Sequence, residues 1–255
     1  MSTWIFLRGL TRESRHWGNF PQVFVHEVPD AKIHAPDLPG NGTLNAQKSP
    51  IDVDEIAERI RSRLLAQGIL PPYHVLAMSL GAMVAVSWAS RYADEIRCCV
   101  LINTSLRPFN PFYERLKPGN YRRLLTLALS PTGDEEWERA ILDLTSRHSG
   151  PAAEVLANWI AYRRQYPVSR RNALRQMVAA ARYKAPLARP DSPILILTSR
   201  DDALVDASCS RQLAVHWHTA FAEHPTAGHD LPLDDGLWAA RQVQRWLQTL
   251  PALQA

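Results

Sequence analysis

The stretch His74-Val75-Leu76-Ala77-Met78-Ser79-Leu80-Gly81-Ala82-Met83 runs from a short apolar strand directly into a helix of small residues, with Ser79 at the corner. A brief apolar run closed by a turn reads as a buried strand. Leu80 to Ser90, apolar or small nearly all round, reads as a buried helix. A serine at such a corner projects its hydroxyl above the edge of the sheet, beside a helix N-terminus, where it is placed for nucleophilic chemistry. Small residues two positions away on either side let the sharp turn pack. Gly81 is one of them. The other is Ala77, one methyl larger than the glycine usual in this pattern.

Outward from this corner the same alternation continues. Trp4 to Leu7, Ile33 to Ala35 and Cys98 to Ile102 read as further strands, and residues around Trp17 to Val25 carry apolar positions at helical intervals. Asp52 to Ala66 places Ile56, Ile60, Leu64 and Leu65 on one face, as an amphipathic helix does. Strands alternating with helices predict a parallel sheet covered on both faces. From about residue 107 to 185 the alternation stops, and only helices are expected: Tyr121 to Leu129, Glu135 to Arg147, Ala152 to Tyr166 and Arg170 to Tyr183. After Pro190 the pattern resumes with strands at Ile194 to Leu197 and His218 to Ala222, then a closing helix at Gly236 to Leu250. A helical block thus interrupts an α/β core.

A serine nucleophile needs a base, and the base needs an orienting carboxylate. In this architecture the chain order is serine, acid, histidine. Asp201 and Asp202 follow the strand at Ile194 to Leu197, on the edge of the sheet that carries function in open α/β folds. His229, in Ala227-Gly228-His229-Asp230, follows the last strand and is the expected base. The oxyanion donors are expected to be the backbone N–H groups of Leu80 and, by position in the Arg8-Gly9-Leu10 turn, Leu10.

The 255 residues fit one large domain or a domain with an insertion, and 46% hydrophobic with 21% charged content excludes a largely disordered chain. No apolar run reaches the roughly 18 residues of a membrane span, and the N-terminus lacks the basic and apolar regions of a signal peptide. Cys98, Cys99 and Cys209 form neither an even set nor a CxxC pair, so reduced thiols in a cytoplasm are expected. Residues 107–190 hold 15 basic and 7 acidic residues, a balance of +8, against 14 and 18, a balance of −4, elsewhere. The pairs Arg122/Arg123, Arg163/Arg164 and Arg170/Arg171 are therefore candidates for docking an acidic partner, set against the plainer reading of a solvated helical surface. Nucleic acid is not expected, because no zinc-finger spacing or RNA-binding signature is present and the rest of the chain is acidic.

Taken together, Leu7-Arg8-Gly9, Asp37-Leu38-Pro39-Gly40-Asn41-Gly42, the corner at Ser79, Asp202-Ala203-Leu204-Val205 and Gly228-His229 resemble the α/β-hydrolase superfamily. The resemblance implies a mainly parallel sheet of about six strands flanked by helices, with a helical cap at 107–190 dividing the core into 1–106 and 191–255. Its D-x-x-V pattern selects Asp202 over Asp201. It also implies a serine esterase with no metal or organic cofactor, working on a small-molecule ester through an acyl-enzyme held by Ser79, Asp202 and His229. A cap of this length is similar to that of small carboxylesterases, including the methyl esterases that act on a pimeloyl carrier protein, and that class reads an acidic carrier protein with basic cap residues. The family's usual His-Gly turn is Arg8-Gly9 here, which places a permanent cation, with Met78, as an expected pocket wall. Two alternatives share these residues: a carbon–carbon lyase or hydrolase on the same fold, and a non-catalytic binding protein on a hydrolase scaffold.

Overall fold

The computed structural model of the chain describes residues 1–129, 133–147 and 152–251. Six strands pair in parallel in the order β2-β1-β3-β4-β5-β6: β1 (Ser2–Leu7), β2 (Ala31–His34), β3 (Tyr73–Met78), β4 (Ile96–Ile102), β5 (Ile194–Ser199) and β6 (Ala220–His224). Every residue of β5 is buried, and β4 nearly so, because helices cover both faces.

On one face, α2 (Val53–Ala66) and α3 (Leu80–Arg91) pack with Ile5, Leu7, Val75 and Leu101. Asp52 starts α2 by accepting from the N–H groups of Asp54 and Glu55 at 2.8 and 3.3 Å, which offsets the unpaired amides of a helix start. Its stripe of Val53, Ile56, Ile60 and Leu64 is buried against the sheet. Helix α3 is buried over most of its length and approaches β1 closely: a Cβ on Gly81 would stand 2.4 Å from the carbonyl oxygen of Leu7. Only glycine permits that approach. On the other face, α1 (Phe20–Glu27) and α10 (Leu231–Thr249) cover Trp4, Phe6, Leu76, Val100 and Leu197.

Between β4 and β5 the chain forms a helical insertion: α4 (Phe112–Arg115), α5 (Tyr121–Leu129), α6 (Asp134–Thr145), α7 (Ala152–Gln165) and α8 (Arg170–Arg182). One isolated parallel bridge, Arg107 to Lys184, closes its base.

Several boundaries differ from the sequence reading for identifiable reasons. The helix expected at 17–25 is divided: a 3-10 turn, Ser14–Trp17, stops at Gly18, whose φ is 55°, before α1 begins. A helix α9 (Ala207–Trp217), capped by Asp206, lies between β5 and β6, where none was expected. His218 ends α9 in a left-handed conformation, so β6 starts at Ala220. Helix α10 starts at Leu231, earlier than Gly236, with Pro232 in its first turn and a kink at Asp235. Gly236 serves packing, since a Cβ there would sit 2.9 Å from Phe20.

Candidate active site

Ser79 leaves β3 with φ 53° and ψ −117° and caps the start of α3. Non-glycine residues rarely hold such a backbone, and the surroundings must impose it. Its N–H donates to the carbonyl of Ile102 at 3.0 Å, and its own carbonyl accepts from Ala82 and Met83. Ala77 pairs with Leu7 on one side and Leu101 on the other and is fully buried, so the extra methyl is absorbed in the core. Gly9 lies against the serine: a Cβ there would be 3.2 Å from Ser79 Cβ and 3.7 Å from its Oγ. Ser79 is half-buried, and its hydroxyl has no hydrogen-bond partner among the described residues.

The loop after β5 turns Asp202 inward and Asp201 outward. Asp202 Oδ1 accepts from the N–H groups of Leu204 and Val205 at 2.8 and 3.0 Å, which fixes the carboxylate. Its Oδ2 stands 2.7 Å from His229 Nδ1, with both side chains buried. Asp201 is exposed, and its carbonyl accepts from Arg147. Burial presses the His229 pKa down, but the charge and hydrogen bond of Asp202, helped by Asp230, outweigh burial and the opposing Arg8 cation, leaving it above the usual 6.5. The Nδ1 contact leaves Nε2 as the nitrogen free for a proton from elsewhere. No hydrogen bond joins it to Ser79 among the described residues; catalytic hydrogen bonds of this kind commonly tighten when substrate binds.

The backbone holding His229 is tied down on several sides. Asn103, at the end of β4 with φ 46°, donates to the carbonyl of His229 at 2.7 Å and to Ser199 Oγ at 3.0 Å. His224 Nδ1 accepts from the N–H groups of Thr226 and Ala227 and so shapes the loop before the glycine. Neither residue stands out by pattern or spacing; an asparagine directly after a buried strand, tolerant of left-handed backbone, is the signal that points to the first.

The other two expected donors, Leu10 and Leu80, have N–H groups without a partner among the described residues. Leu80 opens α3, where the first amides of a helix are unpaired and the helix dipole favours negative charge.

Arg8 is not a free cation in a pocket wall. It is buried, bonds Asp230 through both terminal nitrogens at 3.0 and 2.6 Å, and stacks over Trp17 at 4.7 Å. The same guanidinium lies 3.6 Å from the sulfur of Met78. One side chain therefore touches the residue before Ser79 and the residue after His229. Burial pushes the thiols of Cys99 and Cys209 up to about 12, and that of Cys98 up as well, so none is a ready nucleophile.

The arginines expected at a docking face divide. Arg163 is turned inward, bonding Asp134 at 3.0 Å and stacking on Trp137 at 4.5 Å. Arg123 pairs with Asp143 at 2.8 Å. Arg122, Arg170 and Arg171 are exposed, and the side chain of Arg164 is 69% exposed.

Ser79, Asp202 and His229 follow strands β3, β5 and β6 on the carboxyl edge of one parallel sheet, the edge around which α/β hydrolases are built. The chain belongs to the alpha/beta hydrolase family, whose sequence pattern matches residues 4–242. A stretch of 92 residues is 34% identical to the pimeloyl-[acyl-carrier protein] methyl ester esterase of Chromobacterium violaceum, covering 36% of this chain and 34% of that protein, so the match spans about a third of the relative's length. The fold is similar to a thermophilic esterase of Thermogutta terrifontis, with a TM-score of 0.73 and 17% identity over 97% of this chain and 90% of that one. It is also similar to 2-hydroxy-6-oxo-6-phenylhexa-2,4-dienoate hydrolase of Rhodococcus sp. strain RHA1, with a TM-score of 0.78 and 16% identity over 97% of this chain and 91% of that one. No helix among the described residues is long and apolar enough to cross a membrane.

Proposed function

We propose that this hydrolase cleaves carboxylic esters through an acyl-enzyme, with Ser79 as nucleophile, His229 as base and Asp202 as its orienting acid. The observation that carries this reading is the buried 2.7 Å contact between Asp202 and His229 Nδ1, which leaves Nε2 to serve a serine held at the elbow. In the first half-reaction Ser79 Oγ attacks the ester carbon while His229 takes its proton. The N–H groups of Leu80 and Leu10 receive the oxyanion. The intermediate collapses as His229 returns the proton to the departing alcohol. Water, deprotonated by His229, then attacks the acyl-enzyme and releases the acid and Ser79.

For the natural substrate we propose an acyl ester borne by an acidic carrier protein. The partial likeness to a methyl ester esterase of that kind and the +8 balance of residues 107–190 support it. The test is labelling with a fluorophosphonate, followed by turnover of p-nitrophenyl esters of increasing chain length and of a carrier-linked methyl ester. Wild type should label at Ser79 and turn over, and Ser79→Ala should do neither while keeping its fold. Loss of a triad nucleophile costs on the order of 10⁶ in kcat. A correctly folded Ser79→Ala variant that still hydrolyses esters would remove the serine from the mechanism.

A further inference from the structure

The turn Gly9-Leu10-Thr11-Arg12 is closed by a bond from the Arg12 N–H to the Gly9 carbonyl at 3.3 Å. Thr11, its third residue, has φ 59°, and Leu10 has no positive φ. A type II turn demands that combination and ordinarily places glycine or asparagine third. A β-branched residue there is an outlier. Type II differs from the more permissive type I by a flip of the central peptide, and the N–H of that peptide belongs to Thr11.

That N–H is held. It donates to Gln176 Oε1 at 2.8 Å, and Gln176 comes from α8 of the helical insertion, 165 residues away. Gln176 is fully buried, and its Nε2 donates to Asn41 Oδ1 at 2.7 Å and to Ser49 Oγ at 3.1 Å. Asn41 in turn donates to the Arg12 carbonyl at 2.9 Å. Arg12 is anchored on the same insertion by Glu138 at 2.5 Å and by stacking on Trp159 at 4.2 Å. The amide oxygen of Gln176 thus faces the peptide that must be turned. Its amide nitrogen is fixed by two acceptors, which sets the orientation of the amide.

We infer that Gln176 is a positioning residue for the oxyanion site: by accepting from Thr11 it holds the strained turn closed, and the closing bond to the Gly9 carbonyl sets the Gly9–Leu10 peptide and with it the Leu10 N–H. This rests on the ester hydrolase reading above. The Gly9–Leu10 peptide is trans and directs its carbonyl at Arg12, so its opposite edge, the Leu10 N–H, points away from the closing bond and is the one amide of the turn interior left for a ligand. The insertion therefore contributes to transition-state stabilisation without touching the substrate.

The experiment compares wild type, Gln176→Met, Gln176→Glu and the double variant Thr11→Gly/Gln176→Met, with kcat expressed per site titrated by a fluorophosphonate. Gln176→Met removes the acceptor at nearly constant volume. It should lower kcat about 10²-fold, the loss expected for a misplaced catalytic group, with KM nearly unchanged. Gln176→Glu keeps an oxygen facing Thr11 and should retain more kcat than Gln176→Met even where its thermal midpoint is lower. Thr11→Gly should restore most of the kcat lost in Gln176→Met, because glycine adopts positive φ unaided. A merely structural glutamine would lower the midpoint and the titrated fraction, leave kcat per site intact, and gain nothing from Thr11→Gly. Full kcat in Gln176→Met, or a loss that Thr11→Gly leaves in place, overturns the inference alone. Should Gln176→Met not fold, Gln176→Ala against Thr11→Gly/Gln176→Ala, which also removes the acceptor, gives the same comparison. A wild type that neither labels nor turns over overturns the ester hydrolase reading, and the positioning role with it.

Discussion

Arg8 and Asp230, 222 residues apart, meet in a two-pronged ion pair buried beside Trp17, with neither side chain reachable by bulk water. It joins the end of β1 to the start of α10, and each partner is one of the groups that set the charge state of His229.

Breaking that pair from one side strands a buried charge. Asp230→Ala should destabilise the fold by about 3–5 kcal/mol. The double variant Arg8→Met/Asp230→Leu, which removes both charges and keeps apolar volume, should recover most of that loss. Denaturant unfolding of the three proteins checks this. A single variant no less stable than the double would sink the idea.

The two adjacent aspartates should separate in activity. Asp202→Asn presents an amide to His229 Nδ1 and favours the wrong tautomer, at a cost of about 10⁴ in kcat. Asp201→Asn changes an exposed side chain and should leave turnover within about threefold. Comparable losses from both would place the register of this loop elsewhere.

His229 must be neutral to accept a proton, and its pKa is raised. The acid limb of kcat/KM should therefore lie above pH 6.5, with activity rising as pH passes through it. Asp230→Asn removes one of the charges that raise it and should move the limb to lower pH. The same shift links to stability: the folded protein binds this proton more tightly than the unfolded chain, so the contribution is complete below about pH 6.5 and fades as pH rises through the folded value. A pH–rate profile in which Asp230→Asn leaves the limb in place contradicts this account.

Charge reversal on the insertion should act on encounter with a charged partner. Arg122→Glu combined with Arg164→Glu, both at exposed positions, should slow turnover of an ester on an acidic carrier protein and spare a short p-nitrophenyl ester. Added salt should reproduce the first effect, since exposed charges are screened within about 8 Å at physiological ionic strength. Arg163 is unsuited to this test, because it is packed on Trp137 and paired with Asp134, and its reversal would disturb the insertion itself. Normal processing of the carrier-linked ester across the salt series would exclude a docking role for this face.

The elbow at Ser79 was legible because its causes are local: small residues, an apolar strand before and a buried helix after. The order Ser79, Asp202, His229 could be read because each follows a strand. The choice between Asp201 and Asp202 needed the family pattern, since adjacency alone does not say which side chain turns inward. Helix α9 could have been read from Asp206, which caps it. Arg8, Asn103 and Gln176 were opaque for a different reason. Their partners lie 222, 126 and 165 residues away, and no periodicity or spacing records such pairings. Arg8 reads as a free cation until Asp230 is brought beside it.

The insertion reaches three loops of the candidate site separately. Lys117 and Asn120 bond the carbonyls of Asp202 and Ala203, the carbonyl of Thr145 accepts from the N–H of Asp230, and Gln176 accepts from Thr11. Such a block is not a module that can be exchanged between relatives by cutting at its two ends. A graft would have to carry complementary sequence at three distant places in the core. Successive substitutions in the insertion would meet selection at each of those places, so its helices are bound to diverge in step with the loops beneath them.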